Sequence, residues 1–100
     1  MKIYPKDDLL DDVLFELASA YSQEGEDKEA IKTYDKLLSV FERSPFLAKS
    51  SLNKGLILYN LEKYELARRV LEKVALDYVR YSVGEQAIST LKEIAIDQGS

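Results

Sequence analysis

Apolar residues recur along this chain at three- and four-residue steps, the spacing of one face of an α-helix. Five stretches follow this pattern, and residues that favour helix ends separate them. They cover about 8–23, 27–43, 45–60, 63–79 and 82–98. No segment of useful length alternates as a β-strand does. The pattern therefore predicts an all-α fold in which short connections make successive helices antiparallel.

The predicted inward faces combine large aliphatic and aromatic side chains with alanines. Their members are Leu10, Val13, Leu14, Leu17, Ala18 and Tyr21 in the first helix; Ala30, Ile31, Tyr34, Leu37, Leu38 and Phe41 in the second; Ala67, Val70, Leu71, Val74, Ala75 and Tyr78 in the fourth; and Ala87, Ile88, Leu91, Ile94 and Ala95 in the fifth. Asp7 or Asp8 is expected to cap the first helix, and Gly25 to follow its end. Ser82 and Glu85 have the spacing of a reciprocal cap.

The pattern repeats at a period of 37 residues, so that Ala30 aligns with Ala67 and Leu37 with Val74. Each repeat is too short to enclose a core alone and must stack on its neighbours. We expect one repeat at about 8–43, a second at about 45–80 and the first helix of a third at about 82–98. Such a stack offers a surface for binding another molecule, which favours a binding module over an enzyme.

Small and aromatic residues at fixed offsets give the chain a resemblance to the tetratricopeptide repeat family. The residues that carry it are Leu14, Leu17, Ala18, Tyr21, Gly25, Ala30, Tyr34 and Leu37 in the first unit; Gly55, Tyr64, Ala67, Leu71 and Val74 in the second; and Ile88, Leu91 and Ala95 in the third. Departures are Ser51, Lys54, Leu58 and Lys92. The resemblance implies an α-α superhelix of antiparallel hairpins, about two and a half repeats long, that binds protein or peptide without catalysis.

The usual period of the family is about 34 residues, so we expect the three extra residues here in the links between repeats. A longer link with an aromatic residue followed by Ser44-Pro45 is similar to tetratricopeptide proteins of the bacterial envelope, of the TolA-binding and barrel-assembly lipoprotein types. The last residues also resemble long repeat proteins of the Bacteroidetes. This similarity favours a periplasmic or outer-membrane-associated location.

The ends of the chain are expected to expose apolar surface. Tyr4 is in phase with Phe41 and Tyr78, which close second helices, and the chain stops after the first helix of a third unit. That fifth helix is too apolar for the polar cap that usually finishes an array. We therefore expect a segment of a longer repeat protein, able to self-associate through its end helices.

The amino-acid composition excludes several classes of partner and of reactive site. The net charge of −4 argues against nucleic acid as a partner, because binding phosphates requires clustered lysine and arginine. Cysteine and histidine are both absent, which removes disulfides, thiol nucleophiles, Cys/His zinc sites and the commonest general base. No apolar run is long enough to insert in a membrane. No cofactor is implied.

The candidate binding residues are those on first helices that lie off the packing stripe. They are Asp12, Glu16, Ser19 and Gln23 in the first helix, Lys49, Asn53, Leu56 and Asn60 in the third, and Gln86, Glu93 and Asp97 in the fifth. They would line the concave groove that the resemblance implies. Asn53 and Asn60 point the same way two turns apart, where amides can donate to and accept from a peptide backbone. The alternative interpretation is that both asparagines lie on a helix face that is only solvated.

Members of the family that hold the carboxylate tail of chaperones use basic and amide residues on these helices. The equivalent positions here are Phe15, Ser19, Asn53, Gln86 and Thr90, and none is a cation. Capture of a peptide C-terminus in that manner is therefore not expected. An architectural role as a spacer within one larger chain remains the alternative to partner binding.

An acidic group at the start of the first helix raises the question of a divalent cation site. Its members are Asp7, Asp8, Asp11, Asp12 and Glu16. Nothing in the sequence resembles the curved, oxygen-rich loop that calcium requires. Favourable interaction with the helix dipole explains these charges better. No metal site is predicted.

The seven tyrosines raise the question of a surface on which sugars or bases stack, and their positions do not favour one. Tyr21, Tyr34 and Tyr78 fall on packing stripes. Tyr59 and Tyr81 are expected to face solvent, and two residues are too few for such a surface.

Overall fold

The computed structural model describes residues 10–99, which form five α-helices joined by turns and contain no strand. The helices are α1 (Asp11–Gln23), α2 (Asp27–Val40), α3 (Leu47–Asn60), α4 (Tyr64–Asp77) and α5 (Ser82–Gly99). The predicted all-α class and the number of helices are confirmed. The expectations for Tyr4, Asp7 and Asp8 concern residues outside the described range.

The chain divides into two compact units, Met1–Ser50 and Ser51–Ser100. In the first unit α1 and α2 form a helical hairpin. Ala18 and Ala30 are completely buried, and alanine at both positions lets two helices approach closely. The ring of Phe15 fills the space beside them, edge-on to Tyr34 at 6.0 Å between ring centroids and stacked on Phe46 at 5.0 Å.

In the second unit α4 packs against α5, and Gly55 of α3 lies against α4. A Cβ atom at Gly55 would stand 2.5 Å from Leu71 Cδ2, so only glycine allows this approach without movement. The buried side chains of the unit are Leu52, Ile57, Leu58, Ala67, Leu71, Val74, Ala87 and Ile94. The pairs aligned by the 37-residue period, Ala30 with Ala67 and Leu37 with Val74, are all core residues.

The two turns inside hairpins share one hydrogen-bond pattern. After α1, Gly25 has φ +80°, its N–H donates to Ser22 O at 3.1 Å, and the next N–H, of Glu26, donates to Tyr21 O at 2.8 Å. This pair of bonds is the Schellman arrangement, which requires a left-handed residue. Gly25 therefore ends α1 as its sequence predicts.

After α3 the same arrangement forms around Glu62, which is aligned with Gly25 by the repeat. Glu62 has φ +63°, its N–H donates to Tyr59 O at 2.9 Å, and Lys63 N–H donates to Leu58 O at 2.9 Å. Left-handed backbone brings the Cβ atom of an L-residue too close to the neighbouring carbonyl, at a cost of roughly 1–2 kcal/mol. The second hairpin turn is therefore strained where the first is not.

The links between repeats differ from these turns. The first covers residues 41–46, where the hydroxyl of Ser44 accepts a hydrogen bond from Phe46 N–H at 2.9 Å. This contact fits the predicted cap at Ser44, although regular α-helix begins only at Leu47. The reciprocal cap predicted for Ser82 and Glu85 does not form among the described residues. Ser82 already lies within α5, and Glu85 N–H donates instead to the backbone of the preceding turn.

Several residues predicted to face inward are partly exposed. The exposed fractions are 52% for Val13, 43% for Leu17 and 37% for Ile88. On α1, Ala18 is buried and Leu14 is half-buried one turn before it. Val13 and Leu17 each lie one position away from these residues, about 100° round the helix. The apolar stripe in the sequence is thus wider than the surface that α2 covers.

Candidate partner-binding face

The second unit has an open depression of about 410 Å³ between α3 and α5. Leu56 lines it from α3, and Glu85, Gln86, Ser89 and Thr90 line it from α5. A half-buried apolar side chain thus faces several polar ones. That combination suits a ligand with one apolar group and a polar backbone.

The depression is one end of a longer strip, because the polar residues of α5 continue at helical spacing. Gln86, Thr90, Glu93 and Asp97 follow one another at three- and four-residue steps, which places them on one side of α5. One side of α3 likewise presents Leu56 together with Tyr59 and Asn60, which follow it by three and four residues. We call the surface that these two helices share the α3–α5 face; its members are Leu56, Tyr59, Asn60, Glu85, Gln86, Ser89, Thr90, Glu93 and Asp97.

The hydroxyl of Thr90 is already in use as a donor. Its Oγ1 donates to the backbone carbonyl of Gln86 at 3.1 Å, so toward the depression it offers only lone pairs. The Gln86 side chain is exposed and has both an amide donor and a carbonyl acceptor. The depression can therefore accept and donate hydrogen bonds, as an extended peptide requires.

At the other end of the face, Tyr59 joins α3 to α5. Its hydroxyl lies 3.1 Å from Asp97 Oδ2 and 3.3 Å from Glu93 Oε1. Partial burial of the phenol, then the hydrogen bonds and negative charges of Asp97 and Glu93, raise the pKa of Tyr59 to about 12. A phenol has one hydrogen, so two carboxylates share a single donor.

Tyr64, the first residue of α4, supports this arrangement. Its ring lies 5.7 Å from the ring of Tyr59, measured between centroids. Partial burial, followed by the charges of Glu62 and Asp97, also raises the pKa of the Tyr64 hydroxyl. The ring of Tyr64 therefore packs against the ring of Tyr59, whose hydroxyl contacts the carboxylate pair.

The sequence-predicted residues of the second unit are distributed over this face. Leu56 and Gln86 line the depression, and Glu93 contacts Tyr59. Asn60 is exposed at the last residue of α3. Asn53 is half-buried and is not without an interaction partner. The structure thus brings Leu56 and Gln86 together and places Glu93 on the same face.

The candidates of the first unit have less in common. Asp12, Glu16 and Gln23 are exposed on α1. Ser19 is half-buried, and its hydroxyl lies 3.2 Å from the hydroxyl of Tyr34, which ties it to the hairpin core. Lys49, in the first turn of α3, is exposed and also belongs to the first unit.

The acidic start of α1 is engaged with its own backbone. Asp11 Oδ1 accepts a hydrogen bond from Asp12 N–H at 2.9 Å, and Asp12 Oδ1 accepts one from Val13 N–H at 2.8 Å. Over residues 10–99, no three acidic, histidine or cysteine side chains are grouped as metal ligands would be. Asp7 and Asp8 lie outside that range.

The described helices include none long and apolar enough to cross a membrane.

Sequence reasoning missed the role of Tyr59 and the lining residues Glu85 and Ser89. Tyr59 was expected to face solvent, and it is in fact half-buried and bonded to α5. A signal existed, since Tyr59 follows Leu56 by three residues and so shares its side of α3. Its partners are 34 and 38 residues away, and helical periodicity contains no information about such contacts.

The outer surface of α4 differs from the α3–α5 face because its positive and negative side chains are paired with one another. Arg68 lies 2.5 Å from Glu65, and Lys73 lies 2.8 Å from Asp77. The hydrogen bond from Arg68 is the main reason that the pKa of Glu65 is lowered, and the bond to Asp77 raises the pKa of Lys73. These exposed pairs are typical of a solvated helix surface.

Comparison with known protein families gives two matches. A family model described as Tetratricopeptide repeat matches residues 12–44, and a second model of the same description matches residues 48–75. They span 33 and 28 residues, or 61 of the 100. The first covers the α1–α2 hairpin and the second covers most of α3 and α4. No curated protein and no solved structure matches the chain.

Proposed function

Because the chain belongs to the tetratricopeptide repeat family, we propose that it is a protein–protein interaction module that holds a peptide or partner protein in a groove lined by the first helices of its hairpins. Tetratricopeptide repeats are a non-catalytic fold that generally mediates such interactions. The module belongs to a larger repeat protein, needs no cofactor and performs no reaction of its own.

The observation that carries the proposal is the depression on the α3–α5 face. Leu56 offers apolar surface there, while Gln86 and Ser89 offer side chains that donate and accept hydrogen bonds. An extended peptide can place one apolar side chain against Leu56 and bond its backbone to the polar residues of α5.

A random peptide library displayed against the purified chain tests the proposal. Enriched peptides should bind wild type and lose affinity when Asn60→Ala and Gln86→Ala are combined. The matched control combines Lys73→Ala with Asp77→Ala, which removes an exposed ion pair from the outer surface of α4. Failure to enrich any peptide, or equal loss in both variants, would contradict a binding role for this face.

Self-association, the architectural alternative, is favoured by a different observation. Leu76 and Val79 near the end of α4 and Tyr81 in the following link are 79%, 60% and 64% exposed. Exposed apolar side chains close together in the chain are typical of protein contacts. Sedimentation equilibrium of wild type and of Leu76→Gln plus Val79→Gln tests self-association. A dimer that dissociates in the variant supports it, and a monomer throughout removes self-association and leaves the spacer role as the architectural alternative.

A bacterial envelope location is a further part of the proposal and rests on the resemblance carried by the links and by the last residues. The link of residues 41–46 is six residues long, twice the three-residue turn 24–26 within the first hairpin. Fractionation of cells that express the intact parent protein tests the location. Recovery of that protein in the cytosol would remove it.

A further inference from the structure

We propose that the α3–α5 face selects a basic extended segment of the partner, with one large apolar side chain in the depression at Leu56 and a lysine or arginine at the Glu93–Asp97 pair. This inference rests on the proposed function and specifies the chemistry of the partner. The site consists of the depression together with the charge that borders it at both ends.

The α3–α5 face is negatively charged, and its nine members, all within the described part of the chain, include no lysine or arginine. Glu85 borders the depression, and Glu93 and Asp97 follow it along α5. Across residues 10–99, none of these three carboxylates forms an ion pair with a lysine or arginine. The outer surface of α4 in the same unit differs from the α3–α5 face, because its carboxylates Glu65 and Asp77 are paired with Arg68 and Lys73.

The carboxylate pair is also unfavourable by itself. Glu93 and Asp97 are separated by one helical turn, and like charges at that spacing destabilise a helix. The single hydrogen of Tyr59 satisfies only one acceptor position of the two groups. A lysine or arginine between them would neutralise the repulsion and supply several donors at once. A carboxylate or phosphate ligand would increase the repulsion.

The spacing along α5 fixes the spacing in the ligand. From the middle of the depression, near Ala87, to the middle of the carboxylate pair, near Ala95, is about 12 Å at 1.5 Å per residue. An extended peptide covers that distance in about four residues at 3.3 Å each. Side chains four residues apart in an extended chain point to the same side. The matching segment therefore has its apolar residue and its cation at positions i and i+4.

Fluorescence anisotropy with matched synthetic peptides tests this. The first probe has leucine at i and lysine at i+4 in an otherwise glycine–serine sequence, and the other two replace that lysine with glutamine or glutamate. Exposed ion pairs contribute little individually, but two carboxylates face the one cation. We therefore expect the lysine peptide to bind about 2- to 30-fold more tightly than the glutamine peptide in low salt. The glutamate peptide should bind more weakly still, and added salt should reduce the differences.

Variants assign the effect to the carboxylates. Combining Glu93→Gln with Asp97→Asn should remove the preference for lysine. The charge-matched control combines Glu24→Gln with Glu26→Gln, two exposed carboxylates of the first unit, and should retain it. Circular dichroism confirms that both variants fold. Loss of the preference in the control as well would show that net charge alone attracts the peptide, which overturns the inference.

The library experiment separates this inference from the proposed function. Enriched peptides that depend on Asn60 and Gln86 but contain no excess of lysine or arginine at i+4 would support the binding module and overturn its basic selectivity. A library that yields no peptide would overturn both. Enrichment of basic peptides whose affinity falls when Glu93 and Asp97 are substituted would support both.

Discussion

Replacement of Glu62 by glycine should stabilise the protein. Glu62 occupies the left-handed position of the turn between α3 and α4 at φ +63°, and its side chain is exposed. The two backbone bonds of the turn, both 2.9 Å long, do not involve that side chain and remain in the variant. Glycine thus removes the conformational cost and loses no described contact.

Two opposing quantities set the size of the effect. Relief of the left-handed strain is worth roughly 1–2 kcal/mol. The greater freedom of glycine in the unfolded chain reduces this by about 0.4–1 kcal/mol. The net gain in the free energy of unfolding is therefore about 0–1.6 kcal/mol. The middle of that range, about 0.8 kcal/mol, raises the melting temperature of a domain of this size by about 3–6 °C.

Urea denaturation followed by circular dichroism measures the gain as a higher midpoint at an unchanged slope. Glu62→Ala is the control for the carboxylate, because alanine keeps the strained backbone, and its stability should stay close to that of wild type. Gly25→Ala tests the aligned turn in reverse. A Cβ atom there meets nothing within 4 Å, so the cost is purely conformational. It is the same difference of the two quantities with the opposite sign, about 0–1.6 kcal/mol. If Glu62→Ala gave the same gain as Glu62→Gly, charge rather than backbone strain would be the cause.

Three further outcomes are expected. Gly84→Ala should destabilise the protein by about 1–3 kcal/mol or more, because its Cβ atom would collide with the backbone carbonyl of Tyr78. Gly55→Ala should cost less in the same denaturation assay, since its Cβ atom would overlap the Leu71 side chain and no backbone atom. Tyr59 favours its neutral form in the folded state, so its contribution to stability is lost as the pH rises from 10 to about 12. Tyr59→Phe should therefore lose less stability than wild type over that interval, and an equal loss would show that the hydroxyl is not held by its carboxylate partners.

The second helices of the hairpins could be predicted closely from the sequence. Ala30 and Leu37 of α2, and Ala67 and Val74 of α4, were assigned to the core by spacing and by the 37-residue period, and all are buried. Most residues off the apolar stripe of these helices are polar or charged, and Leu66 and Leu76 of α4 are exposed exceptions. Spacing then determines the buried side without ambiguity.

The first helices were harder because their apolar residues cover more than one side. Val13 and Leu17 were assigned inward and are about half exposed. The local sequence also suggested a cap at Ser82 that the helix does not use, since α5 already includes that residue. Periodicity specifies which residues share a side but not how much of that side a neighbour covers.

The candidate face was predicted in part. Leu56 and Gln86 were identified because they lie off the packing stripe, and they meet in one depression. The contacts of Tyr59 with Glu93 and Asp97 depend on how α3 and α5 lie side by side. That arrangement follows from the packing of both helices in the second unit, which the spacing within either helix alone does not specify.

The unequal lengths of the connections bear on how such a chain can be edited. The turns 24–26 and 61–63 are three residues each and are fixed by paired backbone bonds, whereas the links 41–46 and 78–81 are six and four residues long. A tag, a protease site or a duplicated module introduced within the longer link would leave both Schellman turns intact. Length changes between related arrays should accumulate in the same place.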